Sequence, residues 1–324
     1  SLLADSHERA VLSCRTIGNQ TCLSASIRRI AGFDHVADIY YDNDALTFYA
    51  HQPEWMAHEA LRFMRATKRH KKPFFLWMAP SLTHSPSDIA RLLQAEPRAA
   101  PAGCGDDGNG PEADAFRATA RRLRSNLVSR LTKAGLLCRR NATDLRVCPD
   151  EKLPTPSKLL HPEPWIPKEW FLGEGTVSAG RRVGLATSVG LAAWLDASLA
   201  PVFAEIAKEQ GLVIFTADHG PYFAGKGHAY EAGVRVPFIA SWTNAPLSAG
   251  ARVSTRITHL DVFPTLSKLA GAASPSLAAN MADGALIDVL LDRAGNHGGQ
   301  GSRIAARPIF IEVGFSRSVV VDGY

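Results

Sequence analysis

The residues best suited to chemistry cluster in the second half of the chain. Asp218, His219 and Gly220 follow a β-prone run, Leu212-Val213-Ile214-Phe215-Thr216, and Lys226 stands close behind between Gly225 and Gly227, with His228 and Glu231 beyond it. An adjacent Asp and His on a glycine-closed loop offer an oxygen and a nitrogen to a divalent cation. A hard cation such as Ca²⁺ or Mg²⁺ takes six or more oxygen-rich ligands, so this pair cannot complete a site alone. A lysine between small neighbours lets its ammonium and the backbone come close to an anion, as in phosphate or sulfate cradles. A further candidate, His84, sits in the polar stretch Thr83-His84-Ser85-Pro86. Taken singly, each has an ordinary structural explanation: a strand-end Asp caps a turn, a Lys between glycines is a solvated loop tip, and a His closes a turn.

The elements that must position these groups can be read from periodicity. Residues 53–69 predict a helix opened by Pro53 and Glu54, with Ala57, Ala60, Leu61 and Met64 at helical spacing. The run from Pro73 to Pro80 predicts a buried strand that leads into the loop holding His84. Residues 115–137 predict a basic amphipathic helix that includes Arg121, Arg122 and Arg124, read as a solvated face. A long helix is expected over about 186–210, with Ala193, Trp194, Ala197, Phe203, Ile206 and Ala207 on its apolar face and Gly211 as its C-terminal cap. Strands at 212–216 and 237–242 and a helix starting near Asp261 complete an alternation that argues for a layered α/β domain. In such sheets ligands collect beyond the carboxyl ends of strands, which is where His84 and the Asp218 loop fall. The Ala-, Gly-, Pro- and Asp-rich stretch at 95–114 and the proline-punctuated stretch at 149–170 belong to a surface insertion spanning 95–170.

Composition bounds the function classes. The chain has 324 residues, 46% apolar and 21% charged, an ordinary globular mixture that excludes disordered, collagenous and coiled-coil chains. A net charge of +5 is too small and too dispersed to point to nucleic acid. No run approaches 18 consecutive apolar residues, so no membrane span is expected. The cysteines are Cys14, Cys22, Cys104, Cys138 and Cys148; two close pairs, 14 with 22 and 138 with 148, could form short disulfide loops, and spacing leaves the connectivity open. Two sequons, at Asn19 and Asn141, are candidate glycosylation sites.

Four motifs in order change the weight of the single residues. Lys72-Pro73-Phe74-Phe75-Leu76-Trp77-Met78-Ala79-Pro80 with His84-Ser85-Pro86, then Val213 to Gly220, then Gly225-Lys226-Gly227-His228-Ala229-Tyr230-Glu231-Ala232-Gly233-Val234-Arg235-Val236-Pro237, then Asp261-Val262-Phe263-Pro264-Thr265-Leu266 together resemble the sulfatase family. The resemblance covers most of residues 33–324. It implies one catalytic domain over 1–324 with an alkaline-phosphatase-like α/β/α sandwich, a mixed central sheet, and a metal-dependent sulfuric ester hydrolase activity of the arylsulfatase kind. It further implies that Asp218 and His219 ligate a divalent cation, usually Ca²⁺, that Lys226 holds the sulfate and assists the leaving oxygen as a catalytic residue, and that His84, the second catalytic candidate, donates a hydrogen bond to the sulfate group and serves in proton transfer. Glu231 and Arg235 read as an internal brace.

The chain departs from the family pattern at its start. The family's nucleophile is a formylglycine, made by a formylglycine-generating enzyme from the first residue of a Cys/Ser-x-Pro-x-Arg motif, and no such motif occurs here. The early pair of adjacent acidic ligands is missing too, since Asp106-Asp107 follows the His84 loop. These departures, and an end in mid-strand at Val319-Val320-Val321, predict a piece of a sulfatase, incomplete at both ends, with little hydrolytic activity of its own. The resemblance and the sequons together predict a secreted or lysosomal setting. Two other readings compete: a phosphodiesterase or phosphonate hydrolase of the same superfamily, and a non-catalytic binder of sulfated glycans that would use the basic helix at 115–137.

Overall fold

The computed structural model describes residues 28–29, 32–36, 52–70, 73–82, 89–99, 109–139, 141, 144–148, 179–220, 226–242, 250–254, 256–271, 284, 287 and 307–321. The chain divides into two compact units, Ser1–Glu205 and Ile206–Tyr324.

The first unit is helical. Its described elements are α1 (Pro53–Arg69), α2 (Ile89–Gln94), α3 (Pro111–Lys133), a short hairpin of β1 (Leu137–Arg139) and β2 (Leu145–Val147), and α4 (Ala179–Lys208), whose last turn passes into the second unit. Both α1 and α3 start with proline in the first turn, where its missing N–H costs nothing, and both place acidic residues first and basic residues last to match the helix dipole. The end of α3 is closed by Gly135 in the left-handed conformation (φ 77°), with the Leu136 N–H donated to Leu131 O at 2.9 Å. Ala99, Ala113, Phe116 and Ala120 form a small core against Trp55, whose indole meets the Phe116 ring edge-on at 4.9 Å. The hairpin pairs Leu137 with Val147 and Arg139 with Leu145, and a disulfide joins Cys138 to Cys148 across its open end.

A buried polar knot ties four of these helices together. Glu54 of α1 accepts hydrogen bonds from Arg124 of α3 at 2.7 and 3.2 Å and from the Trp194 indole N–H of α4 at 2.7 Å. Arg124 also donates to the carbonyls of Leu92 and Ala95 at the end of α2, and its guanidinium lies 4.9 Å from the Trp194 ring. Arg124 is thus not part of a solvated face, as the basic run suggested. Its exposed neighbour Arg121 pairs with Glu96, a partner that holds the guanidinium above its usual pKa.

The run Pro73–Pro80 forms no strand: Phe75 and Trp77 are exposed, and no described segment pairs with it. Without a partner ladder, an apolar run has no reason to settle into strand geometry. In α4 the face that packs inward is Leu191, Trp194, Leu195, Ser198, Leu199 and Val202, which shares only Trp194 with the expected face. Thr187–Lys208 is long and apolar enough to cross a membrane by length and composition, with a mean hydropathy of 1.4; Asp196 and Glu205 interrupt it, which is why unbroken apolar runs do not reveal it. Its Leu191, Trp194, Leu195 and Leu199 side chains are buried in the first unit.

The second unit begins where α4 stops. The left-handed residue there is Gln210 (φ 56°), one place before the expected Gly211 cap. Gly211 is needed for a different reason: a Cβ there would stand 2.7 Å from the Ile206 side chain. Next, β3 (Leu212–Thr216) pairs antiparallel with β4 (Phe238–Trp242), Leu212 opposite Trp242 and Thr216 opposite Phe238. Between them lies α5 (Glu231–Val234), a single turn. A 3₁₀ turn, His259–Asp261, leads into α6 (Val262–Leu269), and β5 (Ile309–Val313) pairs antiparallel with β6 (Ser316–Val320). The sheets among the described residues are three separate antiparallel pairs, and the mixed central sheet that the resemblance implies is not seen among them. β3 is only half-buried and Phe215 is exposed, where burial on both faces was expected.

Candidate functional site

The register of β3 with β4 sets the place of the candidate residues. Because Thr216 faces Phe238, residues 217–237 form one long connection at one end of the ladder, and Asp218, His219 and Lys226 all lie in it. This connection is folded back on itself. The Gly220 N–H donates to Gly233 O at 2.8 Å, so the Asp218 loop is fastened to α5. A Cβ on Gly220 would lie 1.8 Å from Ala232 O, so only glycine permits this approach. The α5 turn is closed by Val234 N–H to Tyr230 O at 3.1 Å and braced by the Arg235–Glu231 ion pair at 2.7 Å, the internal pair the sequence suggested. From β6, the Ser318 hydroxyl donates to Ala229 O at 3.1 Å and holds the stretch between Lys226 and α5.

Asp218 and His219 are brought together at the tip. The Asp218 side chain is 83% exposed and that of His219 36%. One carboxylate oxygen accepts the His219 backbone N–H at 3.0 Å, and the other lies 3.1 Å from His219 Nε2. His219 Nδ1 is 2.8 Å from Gly220 O. A carbonyl can only accept, so Nδ1 carries the hydrogen of that bond. In neutral imidazole the lone pair is then on Nε2, facing the Asp218 oxygen. The contact is an ion pair only when the ring carries both protons; with the ring neutral, two acceptors face one another. This donor set fits a divalent cation in kind. It falls short in number, because among the described residues no group of three or more His, Cys, Asp or Glu converges.

Lys226 is exposed and enters a turn whose next residue, Gly227, has φ 82°, a conformation that strains any side-chain-bearing residue. It stands on the segment fastened to the Asp218 loop through the Gly220–Gly233 bond. His84 and Asn19 lie outside the described residues. Asn141 is exposed in the β1–β2 loop and its side-chain oxygen accepts the Asp144 N–H at 2.7 Å.

Sequence reasoning missed two features of this unit. Thr216, the last residue of β3, shares a hydrogen bond with His259 Nε2 at 3.0 Å. Asp261, quoted above only as part of a motif, is fully buried and receives two hydrogen bonds from Arg307, at 2.9 and 2.7 Å. The signal for this pair was a charged residue placed just ahead of an apolar helix, which also reads as an ordinary N-cap.

The Asp218–His219 loop is thus fastened, through Gly220 and Gly233, to the segment that carries Lys226 and α5. A family model described as Sulfatase matches residues 15–272, most of the sequence, and the chain belongs to the sulfatase family. It is 39% identical to human steryl-sulfatase over 62 residues, which are 19% of this chain and 10% of that protein. Against human arylsulfatase A it is 38% identical over 87 residues, 21% of this chain and 16% of the relative. A sulfatase of Formosa agariphila is 33% identical over 92 residues, 26% of this chain and 17% of the relative. The chain thus spans between about a tenth and a sixth of the length of these relatives. No solved structure matches it.

Proposed function

We propose that this chain carries the metal- and sulfate-holding part of a sulfuric ester hydrolase of the arylsulfatase kind, built on an alkaline-phosphatase-like α/β/α sandwich. The observation that carries the proposal is the confrontation of His219 Nε2 with the Asp218 carboxylate at 3.1 Å, on a loop fastened to the segment that begins at Lys226. Asp218 and His219 would hold a divalent cation, Ca²⁺ by family resemblance. When bound, that cation supplies positive charge where the transferring sulfuryl oxygens become more negative. The Lys226 ammonium would pair with a sulfate oxygen and stabilise the departing ester oxygen, and His84 would donate a hydrogen bond to the sulfate. The reaction served is hydrolysis of a sulfate ester to alcohol and sulfate, with release of one proton.

The sequence carries no Cys/Ser-x-Pro-x-Arg motif, so we expect the 324-residue chain by itself to bind sulfate esters with little turnover. A formylglycine-generating enzyme would be the processing partner of any longer form that carries that motif. The 95–170 insertion is our candidate for shaping substrate choice. A secreted or lysosomal setting is supported by the Cys138–Cys148 disulfide and by the exposed sequon residue Asn141. Arg124 of the basic run is buried, so the glycan-binding alternative would rest on the exposed cations Arg122, Arg130 and Lys133 of the same helix.

The test is calorimetric titration of the purified chain with 4-nitrophenyl sulfate in the presence of CaCl₂. Binding that is lost on Ca²⁺ chelation and on Lys226→Ala supports the proposal. A preference for bis(4-nitrophenyl) phosphate would move the phosphodiesterase reading to the front.

A further inference from the structure

We propose that the groove between α3 and α4 in the first unit binds a single-chain amphiphilic anion, an alkyl carboxylate or alkyl sulfate. Its chain would lie over Leu123 and Leu127, and its head would sit between the guanidiniums of Arg122 and Arg130. Asp218, His219 and Lys226 belong to the second unit and take no part in it.

The groove holds about 370 Å³, with α3 on one side and α4 on the other. Small-molecule sites commonly hold about 300–1,000 Å³. Its form follows from the sequence. Two adjacent rows of α3 face it, each at four-residue spacing, which keeps side chains on one side of a helix. Leu123 and Leu127 make an apolar floor, the second fully buried and the first half-buried. Arg122, Asn126 and Arg130 make a polar rim, and all three are exposed. Across from them α4 offers only Ala197 and Ala200, side chains too short to fill the gap. The two walls are fixed to each other, because the Arg124 guanidinium of α3 lies 4.9 Å from the Trp194 ring of α4 and both bond to Glu54. The groove is therefore held open before any ligand arrives.

Charge selects the occupant. The charged residues of the lining are the two arginines, and no acidic side chain lines the groove. Among the described residues no carboxylate pairs with Arg122 or Arg130, whereas Arg117, Arg121 and Arg124 of the same helix pair with Asp114, Glu96 and Glu54. Eight helical residues rise about 12 Å, so each arginine stands about one turn from Asn126. An extended arginine side chain spans one turn, so both guanidiniums can meet one head group at that level. Their planar donor edges match a carboxylate or sulfate. A neutral hydrocarbon would leave both cations unused, and a wholly polar polyanion would leave the leucine floor against water. Only a ligand with an apolar body and an anionic head uses both.

The experiment titrates sodium laurate, kept below its micelle concentration, into the purified full chain by calorimetry, with urea unfolding of every variant alongside. Expected are one saturable site in the wild type and an affinity at least about tenfold weaker in the double variant Arg122→Ala/Arg130→Ala. Ala200→Leu, which fills the gap, should abolish binding. Lys133→Ala, outside the groove on the same helix, should leave it unchanged. Arg122 and Arg130 are exposed, so the urea midpoint of the double variant should match wild type and its result reads binding alone. No saturable uptake by the wild type overturns the proposal. So does an unchanged affinity in the double variant, even if Ala200→Leu loses binding, because the site would then read apolar surface only. Heparin fragments that bind in place of laurate, with a loss in Lys133→Ala and none in Ala200→Leu, overturn it in favour of a polyanion-binding face. Binding to phosphatidylserine vesicles without binding of free laurate overturns it in favour of a membrane-facing surface.

Discussion

Two acid–base contacts, one in each unit, have similar distances and opposite surroundings. Glu54 and Arg124 meet at 2.7 Å with side chains 4% and 5% exposed, and Trp194 and two backbone carbonyls satisfy their remaining valences. Asp218 and His219 meet at 3.1 Å with 83% and 36% exposure, and among the described residues each finds its partners within 218–220. A buried charge is tolerated only when it is paired and hydrogen-bonded, so the first contact is committed to holding helices together. An exposed pair contributes little to stability, so the second contact can open at small cost.

The largest expected effect comes from breaking the buried contact. Arg124→Ala leaves Glu54 charged, buried and held only by the Trp194 N–H, and should destabilise the first unit by about 3–5 kcal/mol in urea unfolding. A loss under 1 kcal/mol would erase the contrast between the two sites. The next effect concerns the Cys138–Cys148 disulfide, which closes a loop of sequence separation 10 at the end of the β1–β2 hairpin. In the chain-entropy picture such a loop contributes about 2–3 kcal/mol, so Cys138→Ser should lower the unfolding midpoint of the first unit and leave Ca²⁺ binding unaltered. Third is the exposed Glu231–Arg235 brace, an i,i+4 pair whose loss in Arg235→Ala should cost no more than about 0.5 kcal/mol. A much larger loss would mean that α5 is held by charge rather than by its Gly220–Gly233 bond.

How far the sequence disclosed this arrangement depended on the kind of signal. Helix α1 was legible to the residue because Pro53, Glu54 and the Ala57, Ala60, Met64 stripe all point the same way. For α4 the existence of a helix was legible, but its inward face was not: apolar residues surround it on all sides, so periodicity carries no phase, and only the neighbours choose Leu191, Leu195 and Leu199. The Asp218–His219 loop could be found from order and motif. The contacts that fasten it could not, because Gly220 to Gly233, Ser318 to Ala229 and His259 to Thr216 join residues separated by chain that has no local reason to meet. The buried role of Arg124 was hidden for a related reason: one arginine in a basic run differs from its neighbours only by what lies 70 residues earlier.

The smallest expected effect is the one that most sharply separates the two contacts. In Asp218→Asn the new amide N–H can donate to the His219 Nε2 lone pair, replacing the confrontation of two acceptors by an ordinary hydrogen bond. With a chelator present, stability should stay within about 0.5 kcal/mol of wild type, because the exposed pair contributes little in either form. Adding CaCl₂ should split the two proteins. A site filled at about a hundred times its dissociation constant stabilises the wild-type chain by about 2.7 kcal/mol, and the variant, lacking the charged oxygen, should gain little. Thermal melts of both proteins with chelator and with Ca²⁺ give the four numbers needed. If Asp218→Asn lowers stability in chelator by as much as Arg124→Ala does, the Asp218–His219 contact is structural after all, and the loop is held closed rather than held ready.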